Sequence, residues 1–266
     1  MIGLIAGGGK YPLLFAQAVK ARGLPLTILA IKGEGGAALK SFADRYYEVP
    51  VTRLGKLLKI IKREKITEVA FAGHVRKSKA LLKARPDLKT LLLWSSLQTR
   101  NDDEILRAVA KEIEKAGARV ISPTQYLPEL LTPQGVLTRQ SPSPSQWEDI
   151  IYGFSVAKAL GELDIGQCVV VKDKMVVAVE ALEGTDATIK RAGELVKGAV
   201  VVKVFKPRQD PRFDLPSAGL ETIVTMKEAG ARVLALEAGK SLFFDREKAL
   251  SLAEEAGIVV VGVPYD

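Results

Sequence analysis

Ile2-Gly3-Leu4-Ile5-Ala6-Gly7-Gly8-Gly9-Lys10 opens the chain, and Tyr11–Arg22 follows with Leu14, Phe15, Ala18 and Val19 at helical spacing. The short apolar run reads as a buried strand, the glycines as a turn, and the periodic stretch as a helix that Gly23 closes as a C-terminal cap. Strand, glycine turn and helix in that order begin a βαβ unit. Outward from it, Pro25–Ile31, Tyr47–Val51, Glu68–Ala72 and Arg119–Ile121 read as further strands, with Leu54–Lys65 and Asp102–Ala116 as helices. Strands alternating with helices of this length predict a parallel sheet wound on both sides.

The composition changes between Pro123 and Gln146, where Pro123, Pro128, Pro133, Pro142 and Pro144 crowd together with Gly135 and three serines. Proline at that density breaks regular elements and suits a semi-rigid linker. The expected organisation is a first domain over 1–135, a linker to about 145, and a second domain over 146–266. The second half reads as helix Gln146–Leu160, strands Cys168–Val171 and Met175–Val179, helix Asp186–Leu195, strand Ala199–Val204, helix Leu220–Glu228, strand Arg232–Leu236, helix Asp245–Ala256 and strand Ile258–Val261. The turn Lys172-Asp173-Lys174 is too short for a parallel crossover, so its strands should form a hairpin. The fold class is therefore α/β in two domains, an N-terminal Rossmann-like parallel sheet and a C-terminal mixed sheet.

Of 266 residues, 47% are hydrophobic and 26% charged, which excludes a disordered or collagen-like chain. Apolar runs such as Ala199–Val202 and Ile258–Val261 fall far below the roughly 18 residues that span a bilayer. The N-terminus meets glycines too soon for a signal peptide. The single Cys168 excludes an internal disulfide, and the single His74 argues against a zinc site. A cytoplasmic protein is expected. The net charge of +8 is spread along the chain, densest from Lys56 to Arg85 with Arg76, Lys77, Lys79 and Lys83, and aromatics make up only 6%. Nucleic-acid binding is not expected from that pattern. A phosphorylated small molecule or an anionic membrane face remains as a partner.

Glycines between a strand and a helix let backbone amides approach a phosphate at the helix N-terminus, which nominates Gly7, Gly9 and Lys10. The dinucleotide fingerprint is incomplete: Pro12 stands at the third glycine, and Ile31-Lys32 brings no acid for a ribose. A tight turn needing small residues is the alternative. Carboxylates that suit a hard cation cluster at Asp102-Asp103-Glu104, at Glu180…Glu183…Asp186 beside Thr185, and at Asp210…Asp214. The first two also suit helix caps. The third lies in Lys206–Pro216, which alternates acids with bases and has no helical or strand period, as functional loops do. His74 is either a general base or a local hydrogen-bonding group, and Cys168 a small core residue. With neither a Gly-x-Ser-x-Gly elbow nor a Walker lysine loop, covalent catalysis is disfavoured.

Longer stretches carry a resemblance: Asp164-Ile165-Gly166-Gln167, Glu180-Ala181-Leu182-Glu183-Gly184-Thr185-Asp186, Lys206-Pro207-x-Gln209-Asp210-x-Arg212-x-Asp214-Leu215-Pro216-x-x-Gly219, and Glu237-Ala238-Gly239. With the glycine loop and Asp102-Asp103-x-x-Leu106-Arg107, the sequence resembles the LpxI family of UDP-2,3-diacylglucosamine pyrophosphatases of lipid A biosynthesis. Lys77, Asn101 and Ser217-Ala218 depart from its pattern. The resemblance implies a two-domain enzyme with its active site between the domains, using Mg2+ or Mn2+ to hydrolyse the UDP-lipid to UMP and 2,3-diacylglucosamine 1-phosphate. It implies Asp210, Asp214 and Arg212 as catalytic residues, Asp210 being the essential aspartate. Gly7, Gly9, Lys10, Asp102, Asp103, Thr185, Lys206 and Gln209 would hold substrate, and Asp210, Glu183 and Asp186 the metal. Valine-rich strands with Phe205, Phe243 and Phe244 are the expected lining for the acyl chains. Peripheral contact with the inner-membrane surface and a homodimer accompany this reading. The alternatives are an NADP-dependent or nucleotide-sugar enzyme, for which Lys32 leaves room, and a non-catalytic nucleotide-binding regulator.

Overall fold

A computed structural model describes residues 1–34, 36–75, 86–97 and 102–265, with the Asp102 side chain outside that description. The chain forms two compact units: Met1–Pro128 with Asp210–Asp214, and Glu129–Gln209 with Leu215–Asp266.

The first unit holds β1 (Ile2–Ala6), α1 (Tyr11–Ala21), β2 (Leu26–Ile31), β3 (Arg45–Val49), α2 (Leu54–Arg63), β4 (Glu68–Ala72), α3 (Leu88–Ser96), α4 (Asp102–Lys115) and β5 (Arg119–Ile121). Its five strands are all parallel in the order β3-β2-β1-β4-β5. β1 and β2 are buried on both faces, as a sheet covered by helices requires. The order reverses between β1 and β4, the switch point outside whose carboxyl ends open α/β sheets bind ligands. Leu57, Leu58, Ile60 and Ile61 of α2 and Ala110 and Ile113 of α4 pack on Leu29, Val69 and Phe71 of the sheet.

The second unit holds β6 (Gly135–Val136), α5 (Pro144–Glu162), β7 (Cys168–Lys172), β8 (Met175–Val179), α6 (Thr185–Leu195), β9 (Val200–Lys203), β10 (Ser217–Ala218), α7 (Leu220–Ala229), β11 (Val233–Glu237), β12 (Leu242–Phe243), α8 (Arg246–Glu255) and β13 (Val259–Val263). Its main sheet runs β6-β13-β11-β9-β7-β8 and is mixed, with β9, β11 and β13 parallel and β7 antiparallel to β9. Alternation along the strands divides two cores. Val201, Leu234 and Val260 face α6, α7 and α8, while Val200, Val202, Val233 and Val261 face α5. Both valine rows are fully buried, and so is Phe243, so this part of the expected acyl lining is packed core, whereas Phe205 and Phe244 are half-buried.

The expected hairpin forms: β7 and β8 pair antiparallel, and Asp173 and Lys174 both take positive φ at its tip. Buried Asp149 on α5 secures that turn, accepting the Asp173 amide at 3.1 Å and the Lys174 amide at 2.6 Å.

The proline-rich stretch is not the expected linker. The division falls at Pro128, and the prolines start elements: Pro123 and Pro128 begin 3-10 turns, and Pro144 is at the first turn of α5 behind a Ser143–Gln146 capping box. A proline there forfeits an amide that has no helical partner anyway. Between them, β6 joins the sheet through Val136 opposite Val261. The second departure is the return of Asp210–Asp214 to the first unit, which sequence position alone places in the second.

Candidate functional site

Three groups of the expected residues are drawn into structured surroundings. The glycine loop lies at the switch point. There the Gly7 amide donates to the Ala72 carbonyl at 2.8 Å, and the Gly8 amide to the His74 carbonyl at 2.7 Å. The His74 amide returns a bond to the Gly8 carbonyl at 3.1 Å. A Cβ on Gly7 would stand 2.4 Å from the His74 carbonyl oxygen, so this glycine is dictated by backbone packing. Its amide and that of Gly8 stitch two loops together and do not point at a ligand. Gly9, with φ of +94°, and Lys10 lead into α1, whose N-cap residue Lys10 makes no capping bond with its side chain. His74 is exposed, its ring over Gly9 and its backbone bridged to Gly8.

The Asp210 segment packs on the first unit. Phe213 meets Phe71 of β4 edge-on with centroids 5.5 Å apart, and Ser122 donates to the Pro211 carbonyl. Arg212 grips Asp210 through both carboxylate oxygens: its Nε lies 3.0 Å from Oδ1 and its Nη2 2.8 Å from Oδ2, with its own amide also on Oδ1. Nη1 of the same guanidinium donates to Glu114 of α4 at 2.7 Å. Burial pushes the Asp210 carboxyl up, but the Arg212 donors and the positive charges of Arg212 and Arg107 outweigh it and hold the group below the usual carboxylate range. Arg107 also pairs with Asp103 one turn earlier on α4, through Oδ2. The other Asp103 oxygen is buried without a hydrogen-bond partner among the described residues. The Phe213 and Asp214 amides both turn back onto the Asp210 carbonyl.

In the second unit, Glu237 at the end of β11 is fully buried and Lys158 of α5 nearly so. Their Nζ–Oε2 separation is 2.6 Å, the Glu237 Oε2 also accepts the Phe205 amide at 2.9 Å, and Lys158 donates to the Phe205 carbonyl at 2.8 Å. One ion pair thus clamps both backbone groups of the residue that leads into Lys206–Gln209. Lys206 in turn pairs with Asp164, and buried Gln209 accepts the Lys206 amide at 3.1 Å. Glu237 lies in the quoted Glu-Ala-Gly motif and Lys158 on the α5 face toward β9. Only the first had a signal in sequence.

The Glu180–Asp186 cluster is local helix chemistry. Glu180 accepts the Thr185 hydroxyl at 2.8 Å and the Gln167 amide, while Glu183 pairs with Arg191 at 2.8 Å and accepts the Ala181 amide. Gly166 is small because a Cβ there would stand 2.0 Å from the Glu180 carbonyl oxygen. Among the described residues no three His, Cys, Asp or Glu side chains converge as a metal cage. Asp210 belongs to the first unit and Glu183 and Asp186 to the second, and the first two carboxylates are already held by arginines. Arg76, Lys77, Lys79, Lys83, Asn101 and the Asp102 side chain lie outside the described residues.

Fold and site together define a two-unit α/β protein, a Rossmann-type parallel sheet and a mixed sheet, with an aspartate–arginine pair returned to the former by a polar segment of the latter. Residues 1–130 match the LpxI N-terminal domain and residues 133–261 the LpxI C-terminal domain. The chain belongs to the LpxI family. It is 35% identical over 275 aligned positions, covering 98% of this chain and 97% of the relative, to the UDP-2,3-diacylglucosamine pyrophosphatase LpxI of Caulobacter vibrioides. A crystal structure of the biotin carboxylase subunit of pyruvate carboxylase aligns with 67% of this chain and 35% of its own length, at 16% identity and a TM-score of 0.27.

Proposed function

We propose that this protein hydrolyses the diphosphate of UDP-2,3-diacylglucosamine, releasing UMP and 2,3-diacylglucosamine 1-phosphate in lipid A biosynthesis. The family match along the whole chain supports the reaction. The observation that carries the site is the Asp210–Arg212 pair, because its segment is polar, aperiodic and nevertheless fixed at both carboxylate oxygens. A carboxylate held below its usual range is a weak general base, since proton abstraction falls off with basicity. It is instead a durable acceptor, and the role that suits Asp210 is to orient the attacking water. The water oxygen bonds to one phosphorus, the bridging P–O bond breaks with its electron pair leaving on the other phosphate, and the proton lost by the water passes through solvent to that departing phosphate. Arg212 keeps Asp210 ionised, and Lys206, on exchanging its Asp164 partner for substrate, supplies charge for the phosphate oxygens together with Arg208.

The unpartnered buried oxygen of Asp103 suits a substrate hydroxyl, because an acceptor already stripped of water costs nothing further to pair. Gly9 and Lys10 offer an uncapped helix start to a phosphate. Thr185 and Gln209 are part of the same substrate-holding reading, although Thr185 is engaged by Glu180 and Gln209 by Lys206. Mg2+ and Mn2+ keep waters and substrate phosphates as most of their ligands, so the place for such a cation is on the diphosphate itself. It would polarise a phosphoryl oxygen there. A cytoplasmic protein in peripheral contact with the inner-membrane surface completes the reading, since the substrate carries two acyl chains. Among the described residues no helix is long and apolar enough to cross a membrane.

The test is Asp210→Ala and Asp210→Asn assayed for UMP release. Each should lose about a hundredfold or more in kcat, on the order of 3 kcal/mol of transition-state stabilisation, while substrate still binds. Near-normal turnover would remove Asp210 from the site.

A further inference from the structure

Among its described residues the first unit presents an apolar surface that neither its core nor its candidate site uses. α3 should be amphipathic with its leucines inward, yet only Thr90 and Leu93 are buried. Leu88, Leu91 and Leu92, spaced i, i+3, i+4 and so on one face, are 72%, 48% and 56% exposed, and Trp94 beside them 39%. Isolated exposed leucines are ordinary, but a contiguous row ending in an indole marks an interaction surface. The helix is not loosely attached. Asp87 caps it through the Thr90 amide at 3.0 Å, and its second oxygen accepts the Gly55 amide at 2.8 Å, so one carboxylate ties the starts of α3 and α2 together.

That junction brings the start of α3 against the start of α2, a helix whose exposed side chains are largely lysines. α2 buries Leu54, Leu57, Leu58, Ile60 and Ile61 and leaves Lys56, Lys59 and Lys62 exposed, Lys56 donating to the Glu48 carbonyl, while Lys89 on α3 pairs with Glu112. No acidic residue lies on α2. An apolar strip with a tryptophan, flanked by lysines, has the chemistry of a surface that enters the headgroup region of an anionic bilayer. A second copy of the chain fits less well, because pairing α3 on α3 about a two-fold axis would bring two cationic α2 faces toward each other.

We propose that α3 is the element by which this protein docks on an anionic phospholipid surface, with Leu88, Leu91, Leu92 and Trp94 entering the acyl boundary and the α2 lysines meeting the phosphates. The inference rests on the reading of a diacyl substrate, and assigns the membrane contact of that reading to a particular face.

The experiment uses the full chain with Trp147→Phe, which leaves Trp94 as its single tryptophan. Vesicles of phosphatidylglycerol and phosphatidylcholine are compared with vesicles of phosphatidylcholine alone. Expected are co-sedimentation with the anionic vesicles only, weakened by salt, and a blue shift of Trp94 emission on binding. Leu91→Ser with Leu92→Ser should weaken binding at least about tenfold. Lys59→Gln and Lys62→Gln should weaken it roughly fivefold each. Substrate dispersed in detergent micelles should be hydrolysed alike by all these variants, so a failed vesicle result and a failed enzymatic reading are told apart. Absence of binding to anionic vesicles, or unchanged binding in the leucine pair, overturns the proposal. So does a dimer in light scattering that the leucine pair dissolves, since α3 would then be occupied by a second copy.

Discussion

Asp210 shows how a residue can be conspicuous in sequence and still reveal its role only through its partners. Its place in an acid–base segment was legible. That Arg212, two residues on, would take both oxygens and then reach Glu114 was not, because the link to α4 spans 98 residues of sequence. Since the folded pKa is lowered, the carboxylate contributes stability above its unfolded value and loses it as pH falls through the folded value. The acid limb of kcat/KM should therefore lie below the ordinary carboxylate range of about 4. Arg212→Leu should move that limb upward, because burial then acts with less opposition, and a pH–rate profile reads it directly. A limb that stays in place would detach Arg212 from Asp210. The glycines divide at this scale too. Gly7→Ala should cost about 1–3 kcal/mol of unfolding free energy through the clash with the His74 carbonyl. Gly9→Ala, where the nearest atom is 3.5 Å away, pays only for its positive φ, and should raise KM for the UDP-lipid if its amide meets phosphate. Denaturation curves and KM values separate the two roles.

Among the elements, the strands of the parallel sheet and the β7–β8 hairpin were legible, because buried β-branched runs and a short turn between two of them are local signals. β4, β5 and β8 fall on the expected residues. α3 was not foreseen, because its leucines face outward and break the inward stripe on which helix reading depends. Nor was the α5 start at Pro144: proline density was read as a break, when a proline behind a serine cap begins a helix as readily as it ends one. Asp149 is the further lesson, a buried carboxylate on one helix that shapes the turn of a distant hairpin. Asp149→Ala should cost about 1–3 kcal/mol by leaving the Asp173 and Lys174 amides without their acceptor. Urea unfolding measures it, and a loss under about 0.5 kcal/mol, the level of an ordinary surface change, would mean that water replaces the carboxylate.

At the scale of the molecule, linear reading gave two α/β units but misplaced the seam, because the five residues Asp210–Asp214 belong with a sheet more than eighty residues upstream. Only a long-range contact such as Phe213 on Phe71 reveals that, and no period or composition shift encodes it. Phe213→Ala should consequently lower kcat as well as stability, by loosening the strip that carries Asp210, whereas a merely structural phenylalanine would change only the unfolding midpoint. The central claim is the reaction itself, and its most direct measurement is the product set from purified protein, UDP-2,3-diacylglucosamine and Mg2+. UMP and 2,3-diacylglucosamine 1-phosphate appearing in equal amounts, in the wild type and not in Asp210→Ala, is the predicted result. Release of UDP with free diacyl sugar, which would place cleavage at the glycosidic bond, or no release at all, would contradict it.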